Sequence, residues 1–177
     1  MIRHTLSIVV IVGLVALLAP AADEPSPQAA GNEKAKLEPA DMKKLADALG
    51  GTGQTIKEKV FVLTLAREDL DVRTLDFGEV PVEAGLATTV RLWRCGCGKY
   101  YLAGEYVVTD FESNDVLDSL RQGGFHIASV APMLVRERPR ILSIRFQGEG
   151  DVDQITKTLK GAQRWVGENR GKPKPIE

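Results

Sequence analysis

Between Lys99 and Val166 the hydrophobic period alternates between that of strands and that of helices, and this order limits the fold more than any other feature of the 177-residue chain. "KYYLAGEYVVT" has the composition of a strand, "ESNDVLDSLRQGGF" of a helix, "HIASVAPML" and "ILSIRFQ" of two further strands, and Asp151 onward of a last helix. Strand, helix, strand, strand, helix is most of a split βαβ unit. Local signals bound the pieces. Ser113 or Asn114 is the expected cap of the first helix, with Val116, Leu117 and Leu120 inward and Gly123 as its stop. Pro132 cannot donate to a ladder and so places its strand at an edge or a bulge. Leu142, Ile144 and Phe146 alternate with Ser143, Arg145 and Gln147, as on a strand with one buried face. Asp151 and Gln154 have capping-box spacing before the stripe Val152, Ile155, Leu159, Ala162 and Val166.

Upstream, "PADMKKLADALGG" predicts a helix with Met42, Leu45, Ala46 and Leu49 on one stripe and Gly50 after its end. "KEKVFVLTLAR" is apolar on both faces, as a central strand is. "GGTGQT" between them lacks the lysine and the following helix of a phosphate loop, so it is expected to be a helix stop and a turn. "DLDVRTLDFGEVPVEAGLA" has weak patterning and predicts a short strand or an irregular connection. "TTVRLWR" and "KYYLAGEYVVT" form a hairpin across the cysteine-glycine tetrad, and "VRERPR" reads as a polar hairpin tip. The expected fold class is α+β: a mainly antiparallel sheet with helices packed on one face, a sandwich related to the ferredoxin-like arrangement, over residues 39–168.

The ends read differently. Arg3, the apolar run Ile8 to Leu18 and Ala19-Pro20-Ala21 predict a signal peptide over 1–21, too short to span a bilayer. Residues 22–38 and 169–177 have the composition of disordered segments. Removing the signal, whose only charged residue is Arg3, leaves 22 basic against 24 acidic side chains. Such a balance gives no phosphate-neutralising surface, so nucleic acid is excluded as a partner. The mature chain is expected to be exported and soluble, without stable membrane insertion.

Candidate chemistry is sparse. His126 is the single histidine beyond the signal, which carries His4. A catalytic triad would have to use it, and no spacing supplies its partners. Glu105, Asp110, Glu112, Asp115 and Asp118 cluster along one strand and one helix start; capping and a solvated face account for them, since no aromatic sugar platform accompanies them in the pattern. Arg136, Arg138 and Arg140 suit a charged tip that protects an edge, and otherwise an anion site. Cys95 and Cys97 are the only cysteines. On a regular strand their Cα atoms would lie roughly 6.6 Å apart, so a disulfide needs a bend at Gly96 or Gly98. As metal ligands they supply half of a zinc set; Cu(I) would want fewer, with Met133 or His126 as helpers. No cofactor is expected.

The segment from "LAGEYVVTDF" to "DQITKTLKGA", extended weakly back to Asp41, resembles the LppY/LpqO-like family of exported bacterial proteins of unknown function. Gly104-Glu105 stands where that family has a Gly-Asp pair, the helix from Glu112 to Gly123 follows, and Met133, Pro139, Arg140 and Gly148 fall where the resemblance places them. Val130 and Pro132 occupy two of its histidine positions and Arg145 lies near a third. The resemblance therefore implies the fold and the acidic position Glu105, while any histidine chemistry of the family is missing from this chain.

The expected function is that of an exported, non-enzymatic domain binding a partner or small ligand that the pattern does not name. The alternative is a thiol-redox or soft-metal module on Cys95 and Cys97. A hydrolase would need Glu105 and Asp110 to face one cleft.

Overall fold

Pro39 in the first turn, the stripe Met42, Leu45 and Leu49, and Gly50 at φ +69° make Pro39–Leu49 the first helix, α1. The computed structural model describes residues 36–167. The expected signal peptide, most of the expected arm and the expected tail lie outside these residues. Leu37, which composition assigns to the arm, is buried in the core.

After Gly50 the chain does not simply turn. Thr52–Ile56 is a strand, β1, paired antiparallel with β2, Val60–Ala66. Its five residues are all exposed, so it carries no apolar alternation, and backbone pairing alone makes it a strand. Then come the two-residue strands β3, Arg73–Thr74, and β4, Gly78–Glu79, and a 3₁₀ turn at Val82–Ala84. The hairpin of β5, Ala87–Arg94, and β6, Tyr100–Thr109, follows as expected.

Helix α2 spans Asp110–Gln122, starting before the caps proposed at Ser113 and Asn114. Thr109 is the cap, and Glu112 returns the bond of a capping box by accepting from the Thr109 N–H at 2.7 Å. Gly123 keeps an ordinary backbone, and Gly124 takes the left-handed conformation at φ +85°. β7, His126–Pro132, is an edge strand with a bulge between Ile127 and Ser129, in line with its proline. β8, Glu137–Arg138, is not a solvated tip: it pairs with β3, and Glu137 is buried with its carboxylate accepting from the Ile141 N–H at 3.2 Å. β9, Ile141–Gly150, and α3, Val152–Gln163, complete the chain; Asp151 accepts from the Gln154 N–H at 2.8 Å as that helix's cap.

The main sheet has six antiparallel strands in the order β1-β2-β5-β6-β9-β7, and β4-β3-β8 form a second, small sheet. The protein is thus α+β. All three helices contribute to one core with Leu63, Leu92, Leu102, Tyr106, Ile144 and Phe146 of the main sheet. Tyr100 ties α1 to the hairpin end: its hydroxyl donates to Asp41 at 2.7 Å and accepts from the Glu38 N–H at 3.4 Å. Burial, with the Asp41 hydrogen bond, pushes its pKa up to about 12.

The opposite sheet face is divided. At one end Val107 and Ile141 bury against Val72 and Leu86, with Val80, Val82, Met133 and Leu134 packed around them. Towards the β5–β6 turn the same face is open, with Arg91, Trp93, Gln147 and Glu149 exposed.

Thr88, in β5, is buried, and its hydroxyl has no hydrogen-bond partner among the described residues. A buried orphan hydroxyl costs about 1–3 kcal/mol. Thr88→Val keeps the shape and removes the orphan, so it is expected to stabilise the domain by about 1 kcal/mol, read as a raised urea midpoint; a lowered midpoint would mean that the hydroxyl is satisfied.

Candidate functional site

The open face is built by the hairpin. Gly96, Cys97 and Gly98 form a three-residue loop closed by Cys95 N–H to the Lys99 carbonyl at 3.0 Å and Gly98 N–H to the Cys95 carbonyl at 3.1 Å. Gly98 sits at φ +87°, the left-handed position that such loops require and that favours glycine. The loop sets the register, placing Trp93 directly opposite Tyr101. Because Leu92 and Leu102 point into the helix-side core, the alternation of the strands turns Trp93 and Tyr101 to the other face.

Register carries this row onward. Tyr101 pairs with Glu149, so Trp93, Tyr101 and Glu149 lie side by side across β5, β6 and β9. The next row is Arg91, Ala103, Gln147 and His126, and the third is Thr89, Glu105, Arg145 and Ser129. Trp93 and Tyr101 stack with ring centroids 6.2 Å apart and planes 25° apart. Together with His126, Gln147 and Glu149 they line a depression of about 310 Å³. Glu149 accepts from the Lys99 ammonium at 3.1 Å.

The sequence candidates distribute unevenly over this face. Glu105 lies on it, takes a hydrogen bond from the Ser143 hydroxyl and stands 3.6 Å from the Arg145 guanidinium. Asp110 opens α2, on the helix side of the sheet, and its carboxylate accepts from the Phe111 N–H at 3.0 Å. The two therefore do not share a cleft. Glu112 is buried and bonded to Arg67. Asp115 is half-buried on α2 and Asp118 exposed. Arg136 approaches Asp76 at 3.6 Å beside the small sheet, where Leu75, Phe77 and Val135 are also exposed, and Arg138 belongs to β8. Arg140 is exposed next to them.

Cys95 and Cys97 are joined in a disulfide across the loop, their Cα atoms 5.1 Å apart where a straight strand would hold them further apart. The bend at Gly96 to Gly98 accounts for the difference. Met133 does not stand near them. It packs in the cluster with Ile141, which pairs with Thr109, nine positions along β6 from Tyr100, or ~30 Å of strand. His126 lies in the aromatic depression instead. The soft-metal set Cys95, Cys97, His126 and Met133 is thus not assembled as one site. Among the described residues no three of His, Cys, Asp and Glu are grouped to hold a metal ion.

So short a ring restrains little unfolded chain. Replacing both cysteines by serine is expected to cost no more than about 1.6 kcal/mol, the loop-closure entropy of about three residues. Chemical unfolding of the double variant against the parent checks this, and a loss twice as large would assign the bond a larger share in holding the hairpin.

The aromatic pair is the candidate feature that the sequence pattern hides. Trp93 and Tyr101 read singly as strand residues, and the pattern places no aromatic sugar platform beside the acidic cluster. The length of the turn was the available signal, since it alone decides that the two rings face each other.

The sequence pattern of a family described as Domain of Unknown Function (DUF1259) matches residues 43–164. No curated protein and no solved structure matches the chain. The matched span runs from within α1 to the residue after α3 and includes every strand, and the chain belongs to this DUF1259 family.

Proposed function

We propose that the chain is an exported, non-enzymatic domain that binds a small ligand on the open sheet face at Trp93 and Tyr101. The observation that carries this reading is the stacked pair, with Trp93 left 40% exposed at the wall of a depression that also presents an imidazole, an amide and a carboxylate. Few convergent polar groups beside an apolar wall is the usual make-up of a small-ligand site. The carboxylates weighed for catalysis have structural partners: Glu105 with Ser143 and Arg145, Asp110 at a helix start, Glu112 with Arg67. Export is supported by the signal-like residues 1–21 and by the resemblance to the LppY/LpqO-like proteins.

Trp93→Ala separates binding from folding. Because the ring is 40% exposed but stacks on Tyr101, the variant is expected to lose no more than about 1–2 kcal/mol of stability, and to lose the binding measured by calorimetry against extracts of small molecules from the protein's surroundings. Turnover in a broad substrate panel that Glu105→Gln abolishes would sink the non-enzymatic part.

One observation favours a second reading, a thiol-redox module: the Cys95–Cys97 disulfide sits in the exposed turn, with Cys97 itself exposed. Mass measurement of the purified protein with and without reductant is the test. Conversion to a dithiol heavier by two hydrogen atoms under mild reductant supports it, and a mass unchanged under strong reductant ends it.

A further inference from the structure

We infer that the ligand of the open face is a neutral saccharide, one sugar ring of which stacks on the Trp93–Tyr101 pair. The inference rests on the binding reading above and adds the chemical class.

Three observations select the class. The first is the aromatic pair. Mutual stacking uses one face of each ring, and the ring surface that lines the depression is open to an apolar surface of similar size. A pyranose presents such a surface in its axial C–H bonds.

The second is the set of polar groups beside the rings. Glu149 lies in the same cross-strand row as the aromatics, and Gln147 and His126 in the next, with small Ala103 between Arg91 and Gln147. A planar carboxylate accepts two hydrogen bonds, a planar amide donates and accepts, and an imidazole does one or both. Vicinal hydroxyls, each both donor and acceptor, match this mixture. A purely apolar ligand would leave these groups without partners as it covered them, at a cost.

The third is charge. Glu149 is held by Lys99 at 3.1 Å and Glu105 stands 3.6 Å from Arg145, so these four charges cancel in pairs and the exposed Arg91 of the second row adds a single positive charge. A phosphate or a polyanion would find one guanidinium, that of Arg91, and no cluster of cations, and an amine no free carboxylate. The depression, at about 310 Å³, lies at the low end of small-molecule sites, ~300–1,000 Å³. It is open to solvent along the sheet, so a longer chain can extend past the stacked ring.

The test uses the full mature protein and follows the Trp93 indole N–H, one of two in the chain, assigned with Trp93→Phe. The probes are hexamers of β-1,4-glucose, α-1,4-glucose and β-1,4-N-acetylglucosamine, a hexagalacturonate as the acidic saccharide, and indole and a neutral tripeptide as non-saccharides. The expected result is saturable movement of the Trp93 signal by at least one neutral hexamer and by neither non-saccharide. Trp93→Ala should weaken that binding by about tenfold or more, and Gln147→Ala by several-fold, while Trp93→Tyr retains part of it. Circular dichroism of each variant shows that the fold is intact. Saturation by indole, the tripeptide or the galacturonate alone overturns the neutral-saccharide class and leaves the site standing. No movement with any probe overturns both the class and the site.

Discussion

Urea unfolding of Glu112→Ala is expected to show a midpoint lowered by the equivalent of about 3–5 kcal/mol, with the slope unchanged. The reason is the environment of one buried guanidinium. Arg67 is 2% exposed and uses all five of its N–H donors: two to Asp69 at 2.8 Å each, two to Glu112 at 3.0 and 3.1 Å, and one to the Val107 carbonyl at 2.6 Å. Glu112 in turn accepts from the N–H groups of Thr109 and Gly167, each at 2.7 Å. Removing its carboxylate leaves two donors of a buried cation without acceptors, removes one of the two bonds of the α2 capping box and frees the backbone after α3. Glu112→Gln should recover part of the loss, because an amide oxygen can still accept from one backbone N–H. A loss below about 1 kcal/mol for Glu112→Ala would show that water enters to replace the carboxylate.

The same network gives stability a pH dependence. Burial opposes ionisation of Asp69, but the hydrogen bond and charge of Arg67 outweigh it and leave its pKa below the ordinary 3.8. A carboxyl with a depressed folded pKa contributes stability that is fully present above its unfolded value and is lost as the pH falls through the folded one. Stability is therefore expected to fall below about pH 4, and Asp69→Asn should flatten that part of the profile. Arg67 keeps its charge throughout, its pKa raised despite burial by Asp69 and Glu112.

Phe146→Ala is expected to cost about 3–5 kcal/mol, by loss of a buried ring and the cavity left behind. Phe146 is 2% exposed and lies between Tyr106, centroids 5.6 Å apart, and Phe125, at 5.9 Å with planes 7° apart. Its ring also covers Gly104 so closely that a Cβ there would come within 2.4 Å of it. Gly104→Ala should therefore destabilise by about 1–3 kcal/mol through overpacking. In a Phe146→Leu background, where no flat ring presses on position 104, that penalty should shrink. Additive losses in this cycle would mean that the two positions do not meet. Gly148 repeats the arrangement under Phe125, with a Cβ approach of 2.3 Å. The glycines at 104 and 148, which the family resemblance marks without explaining, are thus places where aromatic rings lie flat on the sheet.

Short-range chemistry was the legible part of this chain. Asp151 as a cap, Gly50 as a helix stop, Pro132 as the mark of an edge strand and the hairpin across the cysteines are all decided within a few residues. β1 was illegible because an exposed edge strand has no apolar face, and its strand character comes from β2. The cap of α2 was misplaced although Thr109 and Glu112 have capping-box spacing. Glu112 was readable as a cap at most, since its other partners lie 45 and 55 residues away.

The candidate site divides in the same way. Trp93 and Tyr101 are neighbours through a turn whose glycines are visible in the sequence, whereas Gln147, Glu149 and His126 join them only because β9 pairs beside β6 and β7 beside β9. Sequence alone determined the α+β class, most helices and strands and most of their ends, because caps, turns and hydrophobic periods act over a few residues. Only the tertiary structure decided that Arg67 meets Glu112, that one half of the second sheet face is covered and that the half bearing Trp93 stays open, because strand order and burial are set by contacts between segments far apart in the chain.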